Sequence, residues 1–202
     1  MTTLTARILA GAFLIAMGAQ VFAQQPQTVR IKGTVENFDG KVLTVKAPDG
    51  ASVNVTLTDK LIIVGVVKAS LDEIKEGSYV GSAAMPQTDG SQKALEVHIF
   101  AESQRGTGEG HRPYTVPNST MTNGTVGAAV TGNDGHTLTV KYKEGEKKIV
   151  VPPGTPVVRY EMGDKAEIKP GVHVALLNVV KQADGSLEGA RINVGRNGLV
   201  PQ

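Results

Sequence analysis

The sequence predicts an all-β protein made of two tandem five-stranded, OB-like barrels, each with one short helical turn. Three observations lead to this fold class. Apolar and polar residues alternate with a period of two along much of the chain, Asp-Gly turn signals separate the alternating runs, and the whole pattern occurs twice. Period two is typical of a half-buried strand, because successive side chains of a strand point to opposite faces of the sheet.

An internal repeat organises the chain. Four sequence blocks recur in the same order, at offsets of 91 to 95 residues. The blocks are GTV at 33–35 and 124–126, LTVK at 43–46 and 138–141, EIK at 73–75 and 167–169, and DGS at 89–91 and 184–186. Because chance similarity does not keep four blocks in register, we interpret the repeat as a duplication.

Each copy begins with three predicted strands joined by tight hairpins. In the first copy the strand-like runs are 29–35, 42–45 and 53–57, and the Asp-Gly turns are 39–40 and 49–50. Asp and Gly tolerate the positive φ that two-residue hairpins require. The second copy keeps this order, with strands at 137–142 and 147–151 and turns at 133–135 and 144–145.

A helical turn and two further strands complete each copy. Ser70 and Glu73 have the spacing of a capping box, and Asp164 and Glu167 repeat it. The closing strands are predicted at 78–85 and 93–100 in the first copy and at 172–180 and 187–194 in the second. Three strands, a short helix and two strands is the order of an OB-type barrel, in which the sheet curls to protect its edges. A β-sandwich with the same strands is the alternative.

The repeat also sets the expected domain boundaries. They are a first OB-like β-domain at 28–101, an interdomain loop at 102–121, a second OB-like β-domain at 122–195 and a tail at 196–202. Gly33 and Gly124 lie inside the first strand of each copy, where glycine lowers stability unless the strand bends. We therefore expect a bulge or a sharp coil at both glycines.

The N-terminus has the features of a secretory signal peptide at 1–23. Arg7 is the only charged residue among the first 29, and an apolar run from Ile8 to Ala23 follows it. Val21 and Ala23 supply the small residues of a cleavage site after Ala23. The run is shorter than the roughly 20 residues that a membrane helix needs, so an uncleaved anchor is the less favoured alternative. We expect a periplasmic or secreted protein with no membrane span after cleavage.

Composition excludes several classes of function. The chain has no cysteine, which rules out disulfides, thiolate metal sites and lipid attachment to an N-terminal cysteine. The net charge is only +2 and there is no tryptophan, so a nucleic-acid partner is not indicated. The sequence shows no arrangement typical of a catalytic triad or a nucleotide-binding loop. We therefore expect that the protein is not an enzyme and has no cofactor.

With these motifs the chain resembles a family of small exported bacterial proteins of unknown function, the DUF5666-type OB-like β-domains. The resemblance rests on the GTV, LTVK, EIKxG and DGS series in both copies, and on the stretches at 106–114 and 119–125. It implies an OB-like fold and export from a bacterial cell. It implies no particular activity.

The interdomain loop holds the most varied polar group of the sequence, formed by Glu109, His111, Arg112 and Tyr114. Because binding residues often lie on loops held by a rigid scaffold, we predict that these four residues form a binding site. We also predict that the loop is ordered and packed in the groove between the barrels, with His111, Arg112 and Tyr114 turned toward that groove. Simple packing between the barrels and a flexible linker are the alternatives.

The favoured function is therefore a non-catalytic binding or adaptor module, whose partner is an unknown protein or small ligand of the cell envelope. The alternative is a metal-binding accessory protein that uses Glu109, His111 and Glu102. Glu96 and His98 are expected to share one face of a strand and could hold a cation, although pairing or solvation is the favoured interpretation. No histidine has a second one at ligand spacing, so no metal site is predicted.

Overall fold

The computed structural model describes residues 28–132 and 135–202, and this part of the chain is all-β, as predicted. The strands are β1 Thr28–Phe38, β2 Val42–Lys46, β3 Ser52–Lys68, β4 Tyr79–Pro86, β5 Gln92–Ile99, β6 Gly110–Pro113, β7 Thr120–Gly132, β8 Gly135–Tyr142, β9 Gly145–Val151, β10 Val157–Met162, β11 His173–Lys181 and β12 Leu187–Gly195. Short 3₁₀ turns lie at Leu71–Glu73, Glu102–Gln104 and Lys165–Glu167. The signal peptide predicted at 1–23 lies outside the described residues, as do the first two residues of the turn predicted at 133–135. Within the described ranges, no helix is long and apolar enough to cross a membrane.

The strands close into rings of five. Ring A runs β1-β2-β3-β12-β11 and returns to β1; β3 and β12 are parallel, and the other neighbours are antiparallel. Ring B runs β7-β8-β9-β5-β4 and returns to β7, with β5 and β9 as its parallel pair. The predicted five-stranded barrel is therefore present.

The tandem arrangement is not confirmed, because each ring combines strands from both copies of the repeat. Ring A takes its last two strands from the second copy, and ring B takes its last two from the first. The physical reason lies in β3, which continues without a turn for 17 residues and carries the chain past its own ring. The boundaries 28–101 and 122–195 stay a prediction about the repeat, and they do not correspond to the two rings.

The two rings share one continuous sheet. The second half of β3 pairs antiparallel with β10, with Val64 opposite Met162 and Lys68 opposite Val158. In the repeat, Val64 corresponds to Val158 and Lys68 to Met162. This pairing therefore lies on an approximate twofold axis that relates the two copies. The central sheet that crosses the axis has the order β11-β12-β3-β10-β5-β4.

Both predicted capping boxes are present. Each lies directly before the two strands that join the ring of the other copy. The carboxylate of Glu73 accepts a hydrogen bond from the Ser70 amide at 2.9 Å, and Asp164 accepts one from the Ala166 amide at 2.7 Å. The residue after each turn closes a barrel: Ile74 packs in the core of ring B, and Ile168 packs in the core of ring A. Each short turn therefore plugs the ring that receives the following two strands.

Three apolar clusters hold the molecule together. Two fill the rings, with fully buried centres that include Leu43 and Leu176 in ring A and Leu138 and Ile149 in ring B. The third cluster lies between the rings, on one face of the central sheet. It consists of Val64, Val66, Tyr79, Phe100, Val158 and Tyr160.

Both first-strand glycines sit at close approaches, whereas the register shifts of β1 and β7 begin two residues farther along, between Val35 and Asn37 and between Val126 and Ala128. A Cβ on Gly33 would lie 2.1 Å from the carbonyl oxygen of Lys46, and one on Gly124 would lie 2.2 Å from that of Lys141. No real Cβ tolerates such a distance from a backbone oxygen. The coiling of β1 and β7 that closes the rings therefore depends on glycine at these two positions.

Candidate functional site

A cavity of about 570 Å³ lies between the rings and is called the inter-ring cavity below. Its floor belongs to the central sheet, and the start of β1, a bulge in β11, part of β7 and the segment 107–115 form its sides. It is lined by Thr28, Val29, Arg30, Glu96, His98, Phe100, Thr107, Gly108, Arg112, Pro113, Tyr114, Thr115, Met121, Asn123, Tyr160, Leu177, Asn178 and Arg191. Its volume is in the range of cavities that hold small organic ligands.

Because successive side chains of a strand point to opposite faces, polar side chains of both rings point into this cavity. In β5, Val97 points into the core of ring B, so its neighbours Glu96 and His98 point away from it. In β12, Ile192 points into the core of ring A, so Arg191 points away. Glu96 and Arg191 occupy the same position of the repeat. The cavity therefore straddles the approximate twofold axis.

An aromatic group forms one wall of the cavity. The rings of His98 and Tyr160 are stacked, with centroids 4.8 Å apart and planes 12° from parallel. Phe100 packs edge-on against both, with its centroid 4.9 Å from that of His98 and 5.5 Å from that of Tyr160. This wall is fixed by packing, because His98 is only 5% exposed and Tyr160 only 8%.

Three guanidinium groups influence the protonation of His98 in this aromatic wall. Burial is the main reason that the pKa of His98 falls to about 3, and the positive charges of Arg191, Arg112 and Arg30 lower it further. All three arginines also line the cavity. His98 is therefore a neutral imidazole at physiological pH, in a positive electrostatic field.

Glu96 supplies a negative group on the same lining. Burial raises the pKa of Glu96 to about 6, and the positive charges of Lys32 and Arg30 offset only part of that rise. Burial also raises the pKa of the Tyr160 phenol, with Glu96 the largest charge contribution. Three guanidinium groups and one carboxyl leave the lining with a net positive charge.

Several buried polar atoms of the lining have no partner among the described residues. They are Nε of Arg30, Nε of Arg191 and Oδ1 of Asn123, a side chain that is only 4% exposed. The Arg191 guanidinium has neither a hydrogen bond nor an ion pair within the described ranges, and burial lowers its pKa. Buried donors and acceptors are nearly always paired in folded proteins, with protein groups or with ordered water, so these atoms have hydrogen-bonding capacity that no described residue uses.

A contact between the rings covers one side of the cavity. The Arg30 guanidinium donates to the Tyr114 hydroxyl at 2.6 Å and to the main-chain oxygen of Gln202 at 2.8 Å. The guanidinium carbon also lies 5.4 Å from the centre of the Tyr114 ring. Arg30 belongs to ring A, whereas Tyr114 follows β6, which pairs with β7 of ring B. This contact holds the segment 102–121, predicted as the interdomain loop, across one side of the cavity.

The predicted binding residues are divided between two cavities. The segment 102–121 is ordered, and β6 pairs with β7. Arg112 and Tyr114 line the inter-ring cavity, in agreement with the groove position expected for them. Glu109 and His111 instead line a second cavity of about 370 Å³, together with Gly110, Arg112, Tyr142, Glu144 and Lys147.

In the second cavity, both predicted residues already have protein partners. Nδ1 of His111 lies 2.8 Å from the Thr122 hydroxyl, and the His111 ring stacks on Tyr142 at 6.4 Å. Glu109 accepts from the Lys143 amide at 3.0 Å. The expectation that His111 faces the groove is therefore wrong, because its position in β6 turns it toward ring B.

The metal alternative gains no support from these positions. Glu102 is paired with Arg105 at 2.5 Å and lines neither cavity. In the described ranges, no group of three or more His, Asp and Glu side chains could hold a metal ion.

Sequence reasoning missed Arg30, Asn123, Tyr160 and Arg191, which come from four different strands. Their only signal is a departure from the repeat, since Glu96 in one copy corresponds to Arg191 in the other. Comparison of the chain with protein families, curated proteins and solved structures gives no match.

Proposed function

We propose that the protein is a non-catalytic binding module whose small organic ligand occupies the inter-ring cavity. The observation that carries this proposal is the set of unpartnered polar atoms on the lining, above all the guanidinium of Arg191 and the amide oxygen of Asn123. A buried donor or acceptor without a partner costs about 1–3 kcal/mol, and a ligand that supplies the missing partner recovers that free energy.

The backbone around the cavity supports the same proposal. Asn178 lies in the left-handed region with φ of 55°, in the bulge of β11 that lines the cavity. Bulges beside sites are a common means of aiming side chains, and non-glycine residues in this region carry strain that often coincides with function. Apolar side chains such as Phe100, Met121 and Leu177 complete the lining, which suits an organic molecule.

The proposal includes an assignment of the fold. In OB-type barrels the order around the ring is 1-2-3-5-4-1, and rings A and B have this order when the last two strands are taken from the other copy. The short turn between the third and fourth strands plugs each barrel. We therefore propose a pair of strand-exchanged OB-like barrels. We also propose that this module acts in the bacterial periplasm or outside the cell, which the signal peptide predicted at 1–23 and the resemblance to exported DUF5666-type domains support.

A cavity-filling variant tests the proposal. Val29 lines the cavity at its edge and is 42% exposed, so Val29→Trp is expected to fold and to occupy the site. Val130→Trp is the matched control, since Val130 is 62% exposed and lines neither cavity. The probes are 2-naphthoate, 2-naphthamide and 2-naphthylmethylammonium, and binding is followed by backbone amide shifts in β5, β10 and β12.

We expect at least one probe to bind saturably to the native protein and to Val130→Trp. Its Kd should rise by about 10-fold or more in Val29→Trp, because the indole takes the place of the ligand. If no probe binds, or if Val29→Trp leaves the Kd unchanged, the inter-ring cavity is not a ligand site and the proposal is wrong.

A further inference from the structure

We infer that the ligand is an organic oxyanion with a flat apolar body, whose carboxylate, phosphate or sulfonate group is bound by Arg191 and Arg112 beside His98. This inference rests on the proposed function, because it names the ligand class of the same cavity.

The charges on the lining favour an anion. Arg30, Arg112 and Arg191 face a single carboxyl group, that of Glu96, and Lys32 and Arg30 already supply positive charges near it. A cationic ligand would meet three like charges in a partly desolvated space, where repulsion is stronger than in water. An anion instead gains Coulomb attraction from all three guanidinium groups.

The hydrogen-bond inventory identifies the two arginines with donors to spare. Arg30 is engaged with Tyr114 and Gln202. Arg112 uses one nitrogen on the Gly108 carbonyl at 2.7 Å, and Arg191 makes no hydrogen bond with any described residue. Each guanidinium carries five N–H donors in a planar fork that matches an oxyanion. Arg191 and Arg112 can therefore both bind the same acidic group.

His98 marks the place of that group. Arg191, Arg112 and His98 all line the same cavity. Asn123 lies between two of them, because its amide oxygen and His98 Nε2 both lie against Gly81, and its amide nitrogen and Arg112 both lie against Gly108. A neutral imidazole has one N–H to donate, and His98 lines the cavity together with these two arginines. The amide of Asn123 adds a further polar contact, because its nitrogen donates to the Thr107 carbonyl at 3.1 Å and its oxygen is left for a ligand hydroxyl or N–H.

The shape of the lining favours a flat body. Tyr160 and His98 form a stacked pair, and Phe100 stands edge-on beside it. Each of these three rings is less than 10% exposed, so together they form a rigid aromatic wall against which a planar apolar group packs favourably. Met121 and Leu177 supply flexible apolar surface on the remaining sides.

The three naphthalene probes separate this inference from the proposed function, since they have the same ring and differ in one substituent, which is anionic, neutral or cationic. We expect 2-naphthoate to bind with a Kd at least about 10-fold lower than that of 2-naphthamide, and 2-naphthylmethylammonium to bind more weakly still. Arg191→Gln and, separately, Arg112→Gln should each raise the Kd of 2-naphthoate by about 10-fold and leave that of 2-naphthamide within about 2-fold. Arg112 is exposed, so its replacement provides a test that does not depend on how a partly buried Arg191 affects folding.

Arg159→Gln is the matched control, because Arg159 lies on β10, pairs with Glu73 and Glu161 and does not line the cavity. It should leave both Kd values unchanged. If the anionic and neutral probes bind with equal affinity, the assignment of an anionic ligand is wrong. If Val29→Trp still blocks both probes in that case, the cavity remains a binding site. Loss of 2-naphthoate binding in Arg159→Gln equal to that in Arg191→Gln would also overturn the anion assignment, since only the overall charge would then matter.

Discussion

Replacement of Glu96 by glutamine tests the electrostatics of the inter-ring cavity directly, because this change removes the only carboxyl side chain that the described residues place on the lining and keeps its shape. Burial raises the pKa of Glu96 from 4.5 to about 6, so the folded protein holds the proton more tightly than the unfolded chain. The stability that this proton provides is complete below pH 4.5 and is lost as the pH rises through 6. At a pH above both pKa values, the ionised carboxylate lowers the free energy of unfolding by about 2 kcal/mol.

The pH dependence of this cost can be worked out for two convenient conditions. With pKa values of 4.5 and about 6, the cost is about 0.8 kcal/mol at pH 5 and about 2.0 kcal/mol at pH 8. Glutamine does not ionise and has no such cost. The stability of Glu96→Gln relative to the native protein should therefore rise by about 1.2 kcal/mol between pH 5 and pH 8.

Urea unfolding at both pH values measures this quantity. His98 affects both proteins alike: its pKa is lowered from 6.5 to about 3, so its contribution is present above pH 6.5 and is lost as the pH falls. It therefore cancels in the difference. Glu146→Gln, at an exposed position of β9, is the matched control for the loss of a carboxylate outside the cavity. If Glu96→Gln behaves like this control, the Glu96 carboxyl is hydrated and the charge argument for the cavity fails.

Three further changes test the fold and the cover of the cavity. Gly33→Ala places a methyl group 2.1 Å from the Lys46 carbonyl oxygen and should lower the free energy of unfolding in urea by about 1–3 kcal/mol, whereas an unchanged value would mean that β1 can coil without glycine. Tyr114→Phe removes the hydroxyl that Arg30 contacts and should cost about 1 kcal/mol in the same assay; no loss would show that this contact does not hold the segment across the cavity. Cleavage at a protease site inserted into the exposed segment 115–118 should leave the fragments together in size-exclusion chromatography without denaturant, because seven strand pairs join them. Separation of the fragments in native buffer would contradict the strand exchange.

The elements that the sequence predicted well are those determined by local physics. Alternation identifies a strand wherever one face is buried, and the predicted capping boxes formed because their hydrogen bonds lie within four residues. Gly33 and Gly124 were recognisable for the same reason, since a glycine inside a strand indicates a bend or a close approach. Each of these features could be recognised from the neighbouring residues in the sequence alone.

Strand partners could not be predicted in this way, because the repeat makes the alternatives locally equal. The last two strands of either copy carry the same pattern, so alternation cannot tell which ring they complete. The choice depends on the segment after the third strand. In the first copy this segment continues β3, which is 17 residues long, whereas in the second copy the chain is interrupted at 152–156 between β9 and β10. Only the pairing of β3 with β10 shows that this segment crosses between the rings.

The site was predictable only in part, for a related reason. Arg112 and Tyr114 could be found because the loop concentrates varied polar residues, and the structure places both on the inter-ring cavity. His111 was misplaced because alternation in the short strand β6 turns it the other way. Arg30 and Arg191 lie in strands that read as ordinary half-exposed sheet. Their convergence follows from the strand exchange, which no local pattern reveals.

The exchange also explains why the cavity is asymmetric. Residues at equivalent positions of the two copies face each other across the approximate twofold axis, so an exact duplication would have placed two identical charges on the same lining. Two carboxylates or two guanidinium groups in a desolvated space repel each other. In this chain the position is occupied by Glu96 in one copy and Arg191 in the other. This difference avoids a pair of like charges at the equivalent positions and makes the two ends of the lining unlike. In the proposed site, a ligand with one charged group would therefore have a preferred orientation.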